Sequence, residues 1–343
     1  MPTTYTIPNG AQYMAATLYT GTGAGNLVIN NATAGSNGFY PDLIWAKSRN
    51  AAYYNNLLDY PRGTSVRLFS NLSDAESNNG CQSSFNSNGF TLNADAGGIN
   101  NSGTTYVAWQ WNAGSGTTST NTSGSITSTV DVNATAGFSI VKYTGTGSAA
   151  TIGHGLGVAP QFIAIKIRNN TYSWRNYHVS TGNTGYVYFN STDAYTASST
   201  TFNNTSPTSS VFSVGTEVNT NANGGTFVAY CWAPVAGYSA FGSYTGNGSA
   251  DGPFIYTGFR PRYVLIKRTN TTEDWVVDDS SRSPYNVTTE YLLPSSSAAA
   301  GNVTLYDFLS NGFKMRGISQ NNSGSTFIYA AFAENPFKYA NAR

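Results

Sequence analysis

A pattern of about 100 residues recurs three times along this 343-residue chain, and it limits the fold more than any other feature. Each copy opens on Tyr-Thr-Gly-x-Gly: Tyr19-Thr20-Gly21-Thr22-Gly23, Tyr143-Thr144-Gly145-Thr146-Gly147 and Tyr244-Thr245-Gly246-Asn247-Gly248. A Pro-led apolar run ending in Lys follows: Pro41 to Lys47, Pro160 to Lys166 and Pro261 to Lys267. Roughly 85 residues after its opener each copy closes on a Thr-aromatic run: Thr105 to Trp111, Thr226 to Trp232 and Thr326 to Phe332. A period this long is the size of a domain rather than of a solenoid turn. Three similar modules suit display or binding better than chemistry at one site.

The boundaries fall at 12–113, 137–236 and 238–337, with a Gly/Ser/Thr-rich linker at 114–136 and a C-terminal tail at 338–343. The linker tract Gly114 to Gly124 has little apolar surface to bury, so it reads as a spacer or an extended edge segment. Ile126, Val130 and Val132 alternate with polar residues and predict a further strand before Phe138. The join around Pro234 to Gly237 is short and predicts a fixed orientation between the second and third modules.

Within a module the pattern is strand after strand. Phe138 to Tyr143 alternates with period two. The Pro-led runs are continuously apolar, as in a strand buried on both faces. Asn88-Gly89-Phe90 and Asn311-Gly312-Phe313 signal hairpins. Charged residues are only 10% of the chain, with five Glu and six Lys, so exposed helix faces are hard to build. The expected fold is all-β, three tandem β-sandwich or jelly-roll-like modules of roughly six strands with almost no helix. Tyr106, Phe227 and Phe327, with Trp111, Trp232 and Phe332, are the expected core anchors, each contributing ~1.5–3 kcal/mol by burial.

The net charge of +1 without a basic cluster argues against nucleic acid. No apolar run approaches a membrane span, and no signal peptide is visible. Cys81 and Cys231 occupy different repeat positions, which predicts buried thiols rather than a framework bridge. His154 and His178 have no histidine counterparts in the other modules, so neither a triad nor a metal site is expected. Gly153 to Gly157 matches a phosphate loop only in glycine count and reads as a turn. The carboxylates Asp59, Glu273, Asp274, Asp278 and Asp279 raise the option of a glycosidase pair. Asp59 and Asp278 fall at similar repeat positions with an Arg shortly after, which fits loop bracing by a charge-assisted hydrogen bond. Trp45, Trp174 and Trp275 are the aromatics that look most exposed and are the candidate ligand or interface contacts. No catalytic residue, cofactor or metal is expected.

The residues Tyr106 to Trp111, Gly153 to Pro160 and Ala333 to Tyr339 carry a resemblance to virion or tail-fibre-like proteins of marine tailed bacteriophages, cyanophages included, which contain a repeated domain of unknown function. The resemblance implies a non-enzymatic virion structural protein assembled in the host cytoplasm. It brings no site residues. The first module starts almost at residue 1, so an anchoring segment is expected to be very short or absent. A tail-fibre or adhesin-like subunit showing a Tyr/Trp/Asn-rich surface to host glycans is the first functional expectation. A capsid or fibre decoration protein is the alternative, and a polysaccharide depolymerase the third. Other virion proteins are the expected partners. Low charge and abundant aromatics leave apolar surface that a 100-residue sandwich cannot hide alone, which predicts a homo-oligomer, most simply a trimer.

Overall fold

A computed structural model describes residues 7, 9–33, 36–64, 66–78, 80–94 and 98–336, with side chains as far as Ala333. The expected tail at 338–343, and the last residues of the resemblance motif, lie outside the described residues. The chain is almost all β, 44% strand against 3% helix. The one α-helix among the described residues is the single turn Val218–Asn221.

The same antiparallel order recurs in all three copies. The closing strand (Thr105–Trp111, Thr226–Trp232, Thr326–Pro336) lies between the opening strand (Met14–Thr20, Phe138–Thr144, Ser239–Thr245) and the Pro-led strand (Leu43–Ser48, Phe162–Ile167, Phe259–Arg268). The register repeats too: Trp111 sits opposite Met14 and Leu43, Trp232 opposite Phe138 and Phe162, and Phe332 opposite Ser239 and Tyr263. A fourth strand, Asn56–Asp59, Arg175–His178 or Val276–Asp279, follows beyond the Pro-led one. Two segments of the 114–136 linker, Ser119–Asn121 and Ser128–Asn133, extend the second sheet at its edge.

The opener motif has a local explanation. Tyr19, Tyr143 and Tyr244 stack on Tyr106, Phe227 and Phe327 with centroids 5.0, 5.0 and 5.1 Å apart. Their hydroxyls donate to the carbonyls of Ile99, Thr220 and Gln320. The first glycine then passes the closing turn so closely that a Cβ at Gly21, Gly145 or Gly246 would lie 2.4 Å from a backbone oxygen. Asn100, Asn221 and Asn321 fasten that turn, each accepting the amide of the residue after this glycine.

Each main sheet is covered on both faces, which explains its unbroken apolar strands. One face packs on a small second sheet. In the first copy Ile44, Ala46 and Ala108 meet Ile29, Phe90 and Leu92 from the sheet Leu27–Asn30, Gly89–Leu92 and Gln82–Asn86. In the second, Ile163, Ile165 and Ala229 meet Ile152, Phe212 and Val214. The other face points into one core shared by all three copies. Trp45, Trp109 and Trp111 there join Phe162, Tyr230 and Trp232 and then Tyr263, Trp275 and Phe332. The Trp111 ring lies 6.0 Å from Trp232 and 5.6 Å from Phe332, residues at the same repeat position. The copies therefore close on a common centre rather than following one another as separate beads. A sandwich with an apolar outer face of this kind needs neighbours, and here they are in the same chain.

Candidate functional site

The polar chemistry of the chain concentrates where the copies meet. The ends of the three fourth strands reach across in a cycle. Asp59 Oδ2 accepts the Tyr230 hydroxyl at 2.6 Å, from first copy to second. His178 Nε2 meets the Tyr329 carbonyl at 3.0 Å, from second to third. Asp279 Oδ2 accepts Trp109 Nε1 at 2.9 Å, from third back to first. Burial lowers the His178 pKa to about 4, so the ring is neutral. Nε2–H then donates to Tyr329 while Nδ1 accepts the Ser180 amide.

Four residues before Asp59, His178 and Asp279, a second cycle runs the opposite way. Asn55 donates to the Leu293 and Ser296 carbonyls, Trp174 Nε1 to Phe69 O at 2.8 Å, and Trp275 Nε1 to Tyr188 O. A third set pairs backbone with backbone: Ala300 N donates to Arg49 O, Glu76 N to Arg168 O and Tyr195 N to Thr269 O. Two of these junctions add bidentate ion pairs, Arg49 with Glu290 and Arg168 with Glu76.

Trp45, Trp174 and Trp275, expected to be exposed, are instead 3%, 0% and 1% accessible. Trp45 packs edge-on against Trp109 and against Phe189 of the second copy. They are contacts between copies, closed to an outside ligand. The pattern of one copy could not show that a neighbouring copy covers these rings.

The candidate carboxylates are similarly engaged. Arg62 Nε reaches Asp59 at 2.5 Å and Arg282 Nε reaches Asp279 at 2.6 Å, with all four side chains fully buried. These arginines also donate to the Leu57 and Val277 carbonyls. The register shows that Asp59 corresponds to Asp279, opposite Leu43 and Tyr263, and not to Asp278. His178, opposite Phe162, is the third member of that set, so its place in the repeat is filled by Asp in the other copies. His154 is buried at the strand end of its turn, with Nδ1 accepting the Leu156 amide. Cys81 and Cys231 are both buried.

One pair was not anticipated. Asp42 accepts Ala113 N at 2.6 Å, Gly116 N at 2.8 Å, Ser115 N at 3.0 Å and Asn112 Nδ2 at 3.3 Å. Asp131, on the strand entering the second copy, lies against it, fully buried, with the Gly114 backbone N–H beside it. Burial, followed by the charge of Asp42, pushes the Asp131 carboxyl up to about 8. Asp131 therefore carries a proton and shares it with the amide-anchored Asp42 carboxylate. Only the folded chain brings the two together, because they lie 89 positions apart in sequence.

Among the described residues, no group of three His, Cys, Asp or Glu side chains is placed to hold a metal ion, and no helix is long and apolar enough to cross a membrane. Fold and junctions together define an all-β protein whose three internal copies tie one another in a cycle. The chain belongs to the family described as Domain of unknown function (DUF7483), whose pattern spans residues 9–336 and so takes in all three copies. No curated protein matches the chain.

Proposed function

We propose that the chain is a structural component of a bacteriophage virion, a tail-fibre or adhesin-like subunit that displays its outer surface for host recognition. The observation that carries the reading is the inward use of the chain's reactive side chains. All six Trp are buried, and Asp59, Arg62, Asp279 and Arg282 hold copies together instead of lining a cleft. The outer surface is left to Asn, Ser, Thr and tyrosines such as Tyr256 and Tyr285, which are 67% and 84% accessible. A rigid scaffold bearing adaptable polar groups and amphipathic rings suits recognition of glycans. The sealed arginine–carboxylate pairs lend nothing to a depolymerase, whose two carboxyl groups must face the sugar. A capsid or fibre decoration protein is the alternative, favoured by the self-contained closure of the three copies.

Labelled antibody on purified virions checks the proposal. Signal at the tail is the expected result. Signal spread over the capsid supports the decoration reading, and no signal on the particle overturns both. The homo-oligomer, most simply a trimer, belongs to the same proposal as the form taken on the particle. Light scattering at micromolar concentration checks it: a mass of three chains supports it, and 36.4 kDa counts against it.

A further inference from the structure

The three copies act as internal controls for one another, and they differ at the edge of the small second sheet. Phe90, Phe212 and Phe313 sit opposite Ile29, Ile152 and Ile255, which aligns the three edge strands. The residues flanking the isoleucine are then Val28 and Asn30, Thr151 and Gly153, and Phe254 and Tyr256. In the second copy the 114–136 linker closes that edge. Ser125 Oγ accepts the Thr151 amide at 2.9 Å, Ile126 N donates to the Thr151 carbonyl at 3.0 Å, and Ser128 Oγ donates to the Gly153 carbonyl at 2.7 Å.

The third copy has no such cover. Its opening strand starts at Ser239, soon after the closing strand of the second copy ends at Trp232, so no linker is at hand. The Ile255 carbonyl faces the inner strand, 2.1 Å from where a Gly312 Cβ would stand, and Thr257 N donates to Asn311 O at 3.0 Å. Alternation therefore turns the N–H and C=O of both Phe254 and Tyr256 outward. Strand Phe254–Tyr256 is outermost in its sheet, and these four groups have no hydrogen-bond partner among the described residues. The two rings are 44% and 67% accessible. Charged side chains commonly blunt such an edge. This strand has none, and Lys314, opposite Phe254, is neutralised by Asp251 at 2.7 Å.

The linker's mode of cover does not suit this edge. It passes Gly153 so closely that a Cβ there would lie 2.0 Å from Asn121 Oδ1, and the third copy has Tyr256 at that position. A regular strand fits, because its side chains leave the plane of the sheet. The edge is complementary to itself. Antiparallel pairing about a two-fold axis at Ile255 sets Phe254 opposite Tyr256 of a second chain, and Tyr256 opposite that chain's Phe254. Both residues turn N–H and C=O outward, so each such pair exchanges two hydrogen bonds and every open group is satisfied. The same register sets aromatic against aromatic twice on the outer face.

We propose that two chains join edge to edge through Phe254–Tyr256, fusing their small sheets. The inference goes beyond the display reading and does not depend on it. The trimer would use other surfaces, and both contacts together give six chains. Strands of three residues bury less than the ~1,000 Å² of a stable interface, so the pairing is weak, with a Kd on the order of 10 µM. Sedimentation and amide hydrogen exchange of the purified chain, from ~1 to ~500 µM, test it. The mass is expected to double across that range, with the Phe254 and Tyr256 amides protected only at its upper end. Tyr256→Lys is expected to raise the Kd roughly tenfold or more with an unchanged thermal melt, since the two-fold counts the change twice. Phe254→Lys gives the same readout should Tyr256→Lys not fold. Val28→Lys, on the open edge of the first copy, is expected to leave the Kd unchanged. A mass that does not double overturns the proposal. So does doubling that both third-copy variants leave intact, or that Val28→Lys abolishes. Amides protected equally at every dilution overturn it too, because the cover then belongs to the same chain.

Discussion

Asp279→Ala is expected to lower unfolding stability by about 3–5 kcal/mol, the largest loss from any single substitution outside the aromatic core. The Asp279 carboxylate accepts four N–H donors: Ser281 N, Arg282 N, Arg282 Nε and Trp109 Nε1. Its removal strands the fully buried Arg282 guanidinium, whose remaining carboxylates are Asp278 at 3.7 Å and Glu290 at 3.8 Å. It also leaves the Trp109 indole N–H, in the middle of the shared core, without its acceptor. The loss exceeds what a surface ion pair would give, ~0–1 kcal/mol, because water cannot replace the missing partner. Since folded proteins have only ~5–15 kcal/mol in hand, the variant should sit near the edge of folding. Chemical denaturation measures it. A loss below about 1 kcal/mol would show that the tie between the third and first copies carries no weight. The paired change Asp279→Leu with Arg282→Met should be milder than Asp279→Ala, since it removes both charges.

The wild-type protein is also expected to lose stability as pH rises from about 5 to 8, and Asp131→Asn to remove much of that loss. The sign follows from the raised pKa. Unfolded, Asp131 ionises near ~4; folded, it keeps its proton to about 8. Its favourable contribution is complete below pH 4 and drains away through that window. Asp278, pushed up to about 7 chiefly by burial, adds a loss of the same sign. The buried Lys47, Lys166 and Lys267 have pKa values lowered to about 8, 7 and 8 by burial. They act oppositely and higher: stability returns as pH rises from there toward their ordinary value near ~10.4. Between about pH 4 and 6.5 His178, with its pKa lowered to about 4, also acts oppositely, so the net fall from pH 5 to 8 is the excess of the two carboxyls over this one histidine. An asparagine at 131 is neutral throughout, and its amide can donate to Asp42 as the protonated acid does. At pH 8 the variant should melt higher than wild type by on the order of 5 °C, a few kcal/mol at most. At pH 4–5 the two should nearly coincide. Parallel melting curves across pH 5–8 would mean that Asp131 is ionised in the folded chain.

Much of the architecture was legible because the repeat marked equivalent positions. The Pro-led runs had to be covered on both faces, and Leu43 to Ser48 is. The aromatics of the closing strands had to be core, and Trp111, Trp232 and Phe332 meet one another. What one copy's pattern could not convey was the identity of the second cover. An apolar face reads the same whether it meets a sheet of its own module, another module or another chain. That is why Trp45, Trp174 and Trp275 looked available. Matching Asp59 to Asp278 rather than Asp279 had a related origin, since two adjacent aspartates differ only in which way the strand turns them.

Cyclic closure also sets a timetable for synthesis. The Trp109 indole cannot find its acceptor until Asp279 exists, 170 residues later. At ~5–20 residues per second, that strand waits on the order of 10–30 s with its apolar side uncovered. The nascent first copy can form its own small sandwich but not its final core, and the contacts that complete it span most of the chain, which slows folding further. Such a chain is expected to need more protection from aggregation during synthesis than beads on a string would. A stall between the second and third copies should yield aggregates rather than a shorter, soluble form.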